Sequence, residues 1–257
     1  MKALVPGRLR SRVAHMRKRL KSGWRRRPDT VSRLGEWPRY LAELVCFGWS
    51  GIGFTSAAAR RYCAGRGLEI GGAAHNPFGL KSLNVDVSDS LDTTFKKLEI
   101  AACGKALPVD IIAPGDALPV TDGSQDFVVS SHVLEHLPDP IGAILEWDRV
   151  IRPGGVIFMI VPHKERTFDR ERPRTPIEHL IADHRALTPE PHNDPNGHDH
   201  VWVTEDIVEV VEWMRDHLGV RWQILEVQDR DDKVGNGFTV IVRKCATRQA
   251  LPDSGTV

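Results

Sequence analysis

Residues 66–90 read RGLEIGGAAHNPFGLKSLNVDVSDS. Leu68 and Ile70 flank Glu69 in a short apolar strand that runs into Gly71-Gly72. A second apolar segment, Leu83 to Val87, carries Asp86 near its end. The pattern is strand, glycine turn, crossover and second strand with a carboxylate near its tip. In a doubly wound α/β sheet such a unit binds a nucleoside at the carboxyl ends of the strands. Glycine lets backbone approach a ligand closely, and a carboxylate at the tip of the second strand can accept hydrogen bonds from both ribose hydroxyls. The same two glycines also suit a plain tight turn, so the rest of the chain decides.

Downstream of this unit the rhythm continues. Val109–Ile112 is a third short strand leading to Pro114-Gly115-Asp116-Ala117-Leu118-Pro119. Asp126 to Ser131 is a fourth, apolar in the middle as a buried parallel strand should be. Asp139-Pro140 pairs an N-cap with a proline at the first helical position, predicting a helix to about Arg152 that Pro153-Gly154-Gly155 ends. Val156–Val161 is the fifth strand. Strands alternating with helices over short links predict a parallel sheet. Trp222–Val227 and Phe238–Val242 have no room between them for a crossover helix, so they should be antiparallel neighbours. Thr204 is positioned to cap a helix to about His217. Upstream, Ser56–Cys63 reads as a helix that stops at Gly65 and Gly67.

The 257 residues suit one α/β domain with an extension. Net charge is +1, which excludes bulk attraction to nucleic acid as an organising feature. The four cysteines (Cys46, Cys63, Cys103, Cys245) are scattered without a CxxC, fitting reduced thiols and a cytoplasmic setting. No apolar h-region follows the basic N-terminus, so no signal peptide is expected, and Leu41–Ala59 reads as packed helix and loop. Residues 1–40 are a basic extension with no acid before Asp29, read either as a solvated arm or as a helix for peripheral contact with an anionic membrane surface. Residues 41–245 form the expected domain, with an insert at about 163–200 rich in charge, proline and histidine, and 246–257 is expected to be a disordered tail.

The ordered motifs resemble those of class I S-adenosylmethionine-dependent methyltransferases over roughly Arg61 to Lys244. LEIGG (Leu68–Gly72), Asp86, GDALP (Gly115–Pro119), DFVVSSHVLEHLPDP (Asp126–Pro140) and RVIRPGG (Arg149–Gly155) carry the resemblance. It implies an α/β, Rossmann-like seven-stranded sheet, mainly parallel, with helices on both faces and an antiparallel final strand. It implies S-adenosylmethionine as cofactor, held by Glu69, Gly71, Gly72, Asn76, Asp86, Asp116, Ala117, Ser131 and His132, with Asp116 meeting the adenine amino group. HNPFGL (His75–Leu80), PHKERTFD (Pro162–Asp169), RPRTPIEHL (Arg172–Leu180) and VQDRDDKVGNGF (Val227–Phe238) are similar to bacterial methyltransferases of polysaccharide and glycolipid biosynthesis, among them the mycobacterial enzymes of methylmannose polysaccharides. That implies a sugar or oligosaccharide hydroxyl as acceptor.

A sugar hydroxyl is a poor nucleophile and gains from a base, for which histidine suits neutral pH. His163, just after the fifth strand, is the first candidate for that base, and His132, at the end of the fourth, the second. The insert then reads as an acceptor lid, with Arg170, Arg172, Arg174, Glu178 and His179 as polar contacts and Trp202 as a stacking platform. His132-x-x-Glu135-His136 also spells an inverted zinc-peptidase pattern, but Pro138 and Pro140 argue against the helix that chemistry needs. Some ubiquinone-pathway O-methyltransferases carry a similar stretch that binds a divalent ion, so Glu135, His136 and His200 are candidates for a cation such as Mg2+. Two further readings stand beside the sugar one: methylation of a lipid or quinone at a membrane surface, and a non-catalytic binding protein on the same fold.

Overall fold

The computed structural model describes residues 55–72, 78–93, 96–97, 100, 106–186 and 197–246. The basic extension 1–40, the segment 41–54, Asn76, the part of the insert at 187–196 and the tail beyond Ala246 lie outside the described residues.

Seven strands form one sheet: β1 (Gly67–Ile70), β2 (Ser82–Asp86), β3 (Ile111–Ile112), β4 (Gln125–Ser131), β5 (Ile151–Pro162), β6 (Trp222–Gln228) and β7 (Gly237–Lys244). Their order is β3-β2-β1-β4-β5-β7-β6. All neighbours pair parallel except those of β7, which slots antiparallel between β5 and β6. This is the Rossmann-like methyltransferase fold. Its chain reversal between β1 and β4 is the switch point at which such sheets bind ligands.

Period-2 alternation carries the sheet into two cores. On β5, Ile157, Met159 and Val161 face one side while Val156, Phe158 and Ile160 face the other. The first side is covered by α2 (Pro140–Val150) and α4 (Thr204–His217), through Ile141, Ile144, Trp147, Ile207, Val211 and Met214. The second packs against α1 (Ala57–Tyr62) and Phe78. Both faces of the central strands β4 and β5 are buried, which is why these two read as apolar runs. Among the described residues no helix is long and apolar enough to cross a membrane.

Local chemistry fixes the element ends. Ser56 caps α1 by accepting from the Ala59 amide at 2.9 Å. Asp139 caps α2 by accepting from the Gly142 amide at 2.8 Å, with Pro140 in the first turn. Three expectations need correction. The helix ends at Val150 rather than near Arg152, because Ile151 already pairs with Gln125; Pro153-Gly154-Gly155 is an irregularity inside β5, not a helix stop. β3 is only two residues long, because the Asp110 carboxylate takes the Asn84 amide proton (2.8 Å) that a longer ladder would use. Thr204 is the first residue of α4, not its cap: the Val203 amide is satisfied by Asp206 (2.8 Å), and the Thr204 hydroxyl donates to Asp229 (2.6 Å).

Candidate active site

Register brings the predicted donor residues to one level. Ile70 lies opposite Val85 on one side and Ser130 on the other. The next residues on the three strands, Gly71, Asp86 and Ser131, therefore sit together at the carboxyl edge. Gly71 has φ +64°, and a Cβ there would stand 2.5 Å from the Val133 side chain. Only glycine lets the chain turn here beneath the residues that follow β4. Gly72 donates to the Asn84 side chain at 3.3 Å, over the buried Glu69. Asp86 is partly exposed and lies 3.9 Å from the buried ammonium of Lys96, a neighbour the sequence did not flag.

The loop carrying Asp116 and Ala117 is pinned from α2. The Trp147 indole donates to the Gly115 carbonyl at 2.7 Å. Glu146 accepts from the Leu118 amide at 2.7 Å. Arg149 donates to the carbonyls of Leu118 (2.9 Å) and Val120 (2.8 Å) and pairs with Glu146 and Asp122. Gly115 itself approaches so closely that a Cβ would lie 2.8 Å from Ile70. The loop thus meets β1 beside the glycine turn, and the fork of Arg149 explains why RVIRPGG belongs to the site although none of it lines the edge.

His132 follows β4 with φ +56°, the sole non-glycine in the left-handed region among the described residues. Strain of this kind persists where the surroundings over-determine it; here the His132 amide donates to the Ile160 carbonyl at 3.0 Å. The ring lies mostly enclosed, and Nε2 is buried with no hydrogen-bond partner among the described residues. Burial pushes the imidazole below the ordinary histidine pKa, against the opposing pull of Glu135 and Asp231. No helix follows: Leu134–His136 is a single 3₁₀ turn.

His163 is placed differently from the expectation. Its Nδ1 accepts from the Glu165 amide at 3.1 Å, so the proton of the neutral ring sits on Nε2, which faces Asp229 at 3.8 Å. The lone pair a base would use caps the turn Lys164–Arg166 instead. Burial, followed by Arg166, lowers its pKa.

The predicted acceptor residues divide. Trp202 is 1% exposed and stacked on His200 (centroids 5.3 Å apart), so a sugar has no ring face to meet; the stacking-platform expectation is corrected. Arg174 is committed to Asp206 at the start of α4, and Arg172 to Asp169 (2.6 Å) and the His198 carbonyl (3.0 Å). Arg172 holds the insert together, while Arg174 ties it to α4 and stays half exposed. Arg170 remains exposed, with Glu165 at 3.8 Å. Glu178 and His179 lie on α3 (Ile177–Arg185), where His179 is 3.5 Å from Asp183. His200 joins that pair, not Glu135 and His136 as expected; the position near Glu135 is filled by His198.

Sequence reading also missed Asp231 and Lys233 in the β6–β7 loop. Asp231 is buried and accepts from four amides: Lys233 (3.0 Å), Val234 (2.7 Å), Gly235 (2.9 Å) and Gly237 (2.7 Å). The folded loop carries Lys233 over the Phe78 ring at 4.2 Å and to the Ser131 hydroxyl at 3.2 Å. Its run of Asp, Val and glycines was the available signal.

Residues 62–159 match the family described as Methyltransferase domain. The matched segment runs from the end of α1 into β5 and so takes in the strands and turns that form the carboxyl edge; over that segment the chain is similar to methyltransferase domains. An uncharacterized protein of Methanocaldococcus jannaschii is 36% identical over 106 residues, 40% of this chain and 47% of that protein. An uncharacterized methyltransferase of Mycolicibacterium paratuberculosis is 33% identical over 36% of this chain and 37% of its own. A ubiquinone biosynthesis O-methyltransferase of Thiobacillus denitrificans is 29% identical over 24% of this chain and 27% of its own. The chain thus spans less than half the length of these curated relatives. A solved methyltransferase from Thermotoga maritima covers 82% of this chain and 97% of its own at 16% identity and a TM-score of 0.49.

Proposed function

We propose that the chain transfers a methyl group from S-adenosylmethionine to a hydroxyl of a sugar or oligosaccharide, with His132 as the base. The observation that carries this reading is the His132 imidazole, which follows Ser131 at the carboxyl edge with a buried Nε2 that has no hydrogen-bond partner among the described residues. The bound donor supplies a sulfonium methyl that is already activated. The chain's part is to align the acceptor oxygen, exclude water and take its proton. Asp86, the Gly71-Gly72 turn and Asp116 are the residues that would hold the donor, with Asp86 as acceptor for the ribose hydroxyls and Asp116 for the adenine amino group. His132 takes the hydroxyl proton on Nε2. His163 is not assigned this role, because its lone pair is occupied.

The carbohydrate acceptor rests on the sequence resemblance, together with the polar exterior of the insert at Arg170, Glu178 and His179. Calorimetry with S-adenosylmethionine, followed by turnover on a panel of methylated and unmethylated oligosaccharides, tests the assignment. Removing a general base costs about 10²–10⁴-fold in rate, so His132→Ala is expected to lose that much turnover while still binding donor. Retention of turnover by His132→Ala, or failure of the wild type to bind donor, would overturn it.

A further inference from the structure

We propose that Glu135, His136 and His198 form a binding site for a divalent ion of the zinc class, with Asp169 as the residue that positions His198. The ion would lie next to His132, so its part in turnover rests on the methyltransferase reading, but its binding does not.

The Glu135 side chain is 0% exposed, and neither carboxylate oxygen has a hydrogen-bond partner among the described residues. An isolated buried carboxylate is costly, so its charge calls for a cation. Three imidazole nitrogens surround Oε1 yet stand outside hydrogen-bonding distance: His136 Nε2 at 3.7 Å, His198 Nε2 at 3.8 Å and His132 Nδ1 at 3.9 Å.

The protonation pattern of the rings points the same way. His136 Nδ1 lies 2.5 Å from the Gly197 carbonyl, so that nitrogen carries the proton. His198 Nδ1 lies 2.6 Å from Asp169 and carries one for the same reason. In the neutral rings both lone pairs are then on Nε2, and both are turned toward Oε1. Two nitrogen lone pairs and a carboxylate oxygen converge on one gap, and a metal ion satisfies all three.

The surroundings are built to hold this arrangement. Arg172 grips Asp169 at 2.6 Å and the His198 carbonyl at 3.0 Å. The amides of Asp199 and His200 donate to the Glu135 carbonyl at 2.8 and 3.1 Å, tying the end of the insert to the turn after β4. A histidine ligand whose other nitrogen donates to a carboxylate is the usual outer-shell arrangement of metal sites.

Two nitrogens and one oxygen suit zinc-class ions and disfavour magnesium, which prefers oxygen donors. Tetrahedral bonds of about 2.0–2.1 Å place ligand atoms roughly 3.4 Å apart; the two nitrogens stand 3.7 and 3.8 Å from Oε1 and all three ligand atoms lie within 4.8 Å of one another, so the cluster closes inward on the ion. Three protein ligands would leave a fourth position of a tetrahedral ion for a water or another donor.

The test uses the full chain, stripped with a chelator and dialysed against Zn2+. Elemental analysis should give one ion per chain, and thermal melting should show stabilisation by Zn2+. Loading with Co2+ instead should give the intense visible bands of a tetrahedral site. Glu135→Gln, which removes charge but keeps shape, should abolish stoichiometric binding while remaining folded by circular dichroism. Asp169→Asn should weaken Zn2+ about 10–100-fold, and His217→Ala, on α4, should not change it. Sub-stoichiometric uptake by the wild type, or equal affinity in Glu135→Gln, would overturn the site. So would binding that is lost in His179→Ala but kept in Glu135→Gln, since that would place the ion at His179, Asp183 and His200 instead.

Discussion

Replacing Asp231 by Asn tests how the β6–β7 loop is held over the donor edge. Each Asp231 oxygen accepts from two amides, at 3.0 and 2.7 Å on one and 2.9 and 2.7 Å on the other. Asn keeps one oxygen and turns an NH2 toward the other two amides. Two hydrogen bonds to a charged acceptor are lost, at about 1.5 kcal/mol each on the low side of the usual range. The sum is about 3 kcal/mol, and for a domain of this size roughly 2–4 °C of Tm per kcal/mol gives a drop of about 6–12 °C. The pH dependence has a definite sign. Burial raises the Asp231 pKa, but the amides of Val234, Gly235 and Gly237 outweigh it, so the folded carboxyl sits below its usual value. Its stabilisation is therefore present above the unfolded pKa of about 3.9 and is lost as pH falls through the folded pKa. Urea unfolding followed by tryptophan fluorescence should show Asp231→Asn well below wild type at pH 7, with the gap closing in acid. An equal midpoint at pH 7, or a gap that does not shrink at low pH, would refute the reasoning.

Two further outcomes follow from the same geometry. Gly71→Ala forces a left-handed alanine, costing about 1–2 kcal/mol, with its Cβ 2.5 Å from Val133; calorimetry should show donor affinity reduced by at least tenfold, and unchanged affinity would contradict the close approach of that turn. His163→Ala should lower the urea midpoint, because it removes the acceptor for the Glu165 amide, while turnover stays within about tenfold of wild type; a loss of the size general bases produce would return the base role to His163.

Much of the fold was legible because it rests on local chemistry. The strand–glycine–strand–acid order of 66–90, the Asp139-Pro140 helix start and the apolar run of β4 each encode their conformation within a few residues. Their periodicity and short links require a parallel sheet, and the missing crossover between β6 and β7 requires an antiparallel pair. Element ends were less legible where a distant group intervened. β5 begins early because Gln125 offers Ile151 a partner, and α4 is capped by Asp206 rather than Thr204.

The sequence by itself determined which residues reach the carboxyl edge, since strand register and turn glycines are properties of neighbouring positions. Tertiary structure decided what those residues can do. Whether a histidine has a spare lone pair depends on a contact such as the Glu165 amide at His163, and nothing in its spacing reveals that. Trp202 and Arg172 suit sugars by type, yet packing on His200 buries the first and Asp169 with the His198 carbonyl engages the second. His198 joined Glu135 because two backbone hydrogen bonds, from the amides of Asp199 and His200 to the Glu135 carbonyl, fold that segment onto the turn after β4, an approach between distant positions that no local pattern records.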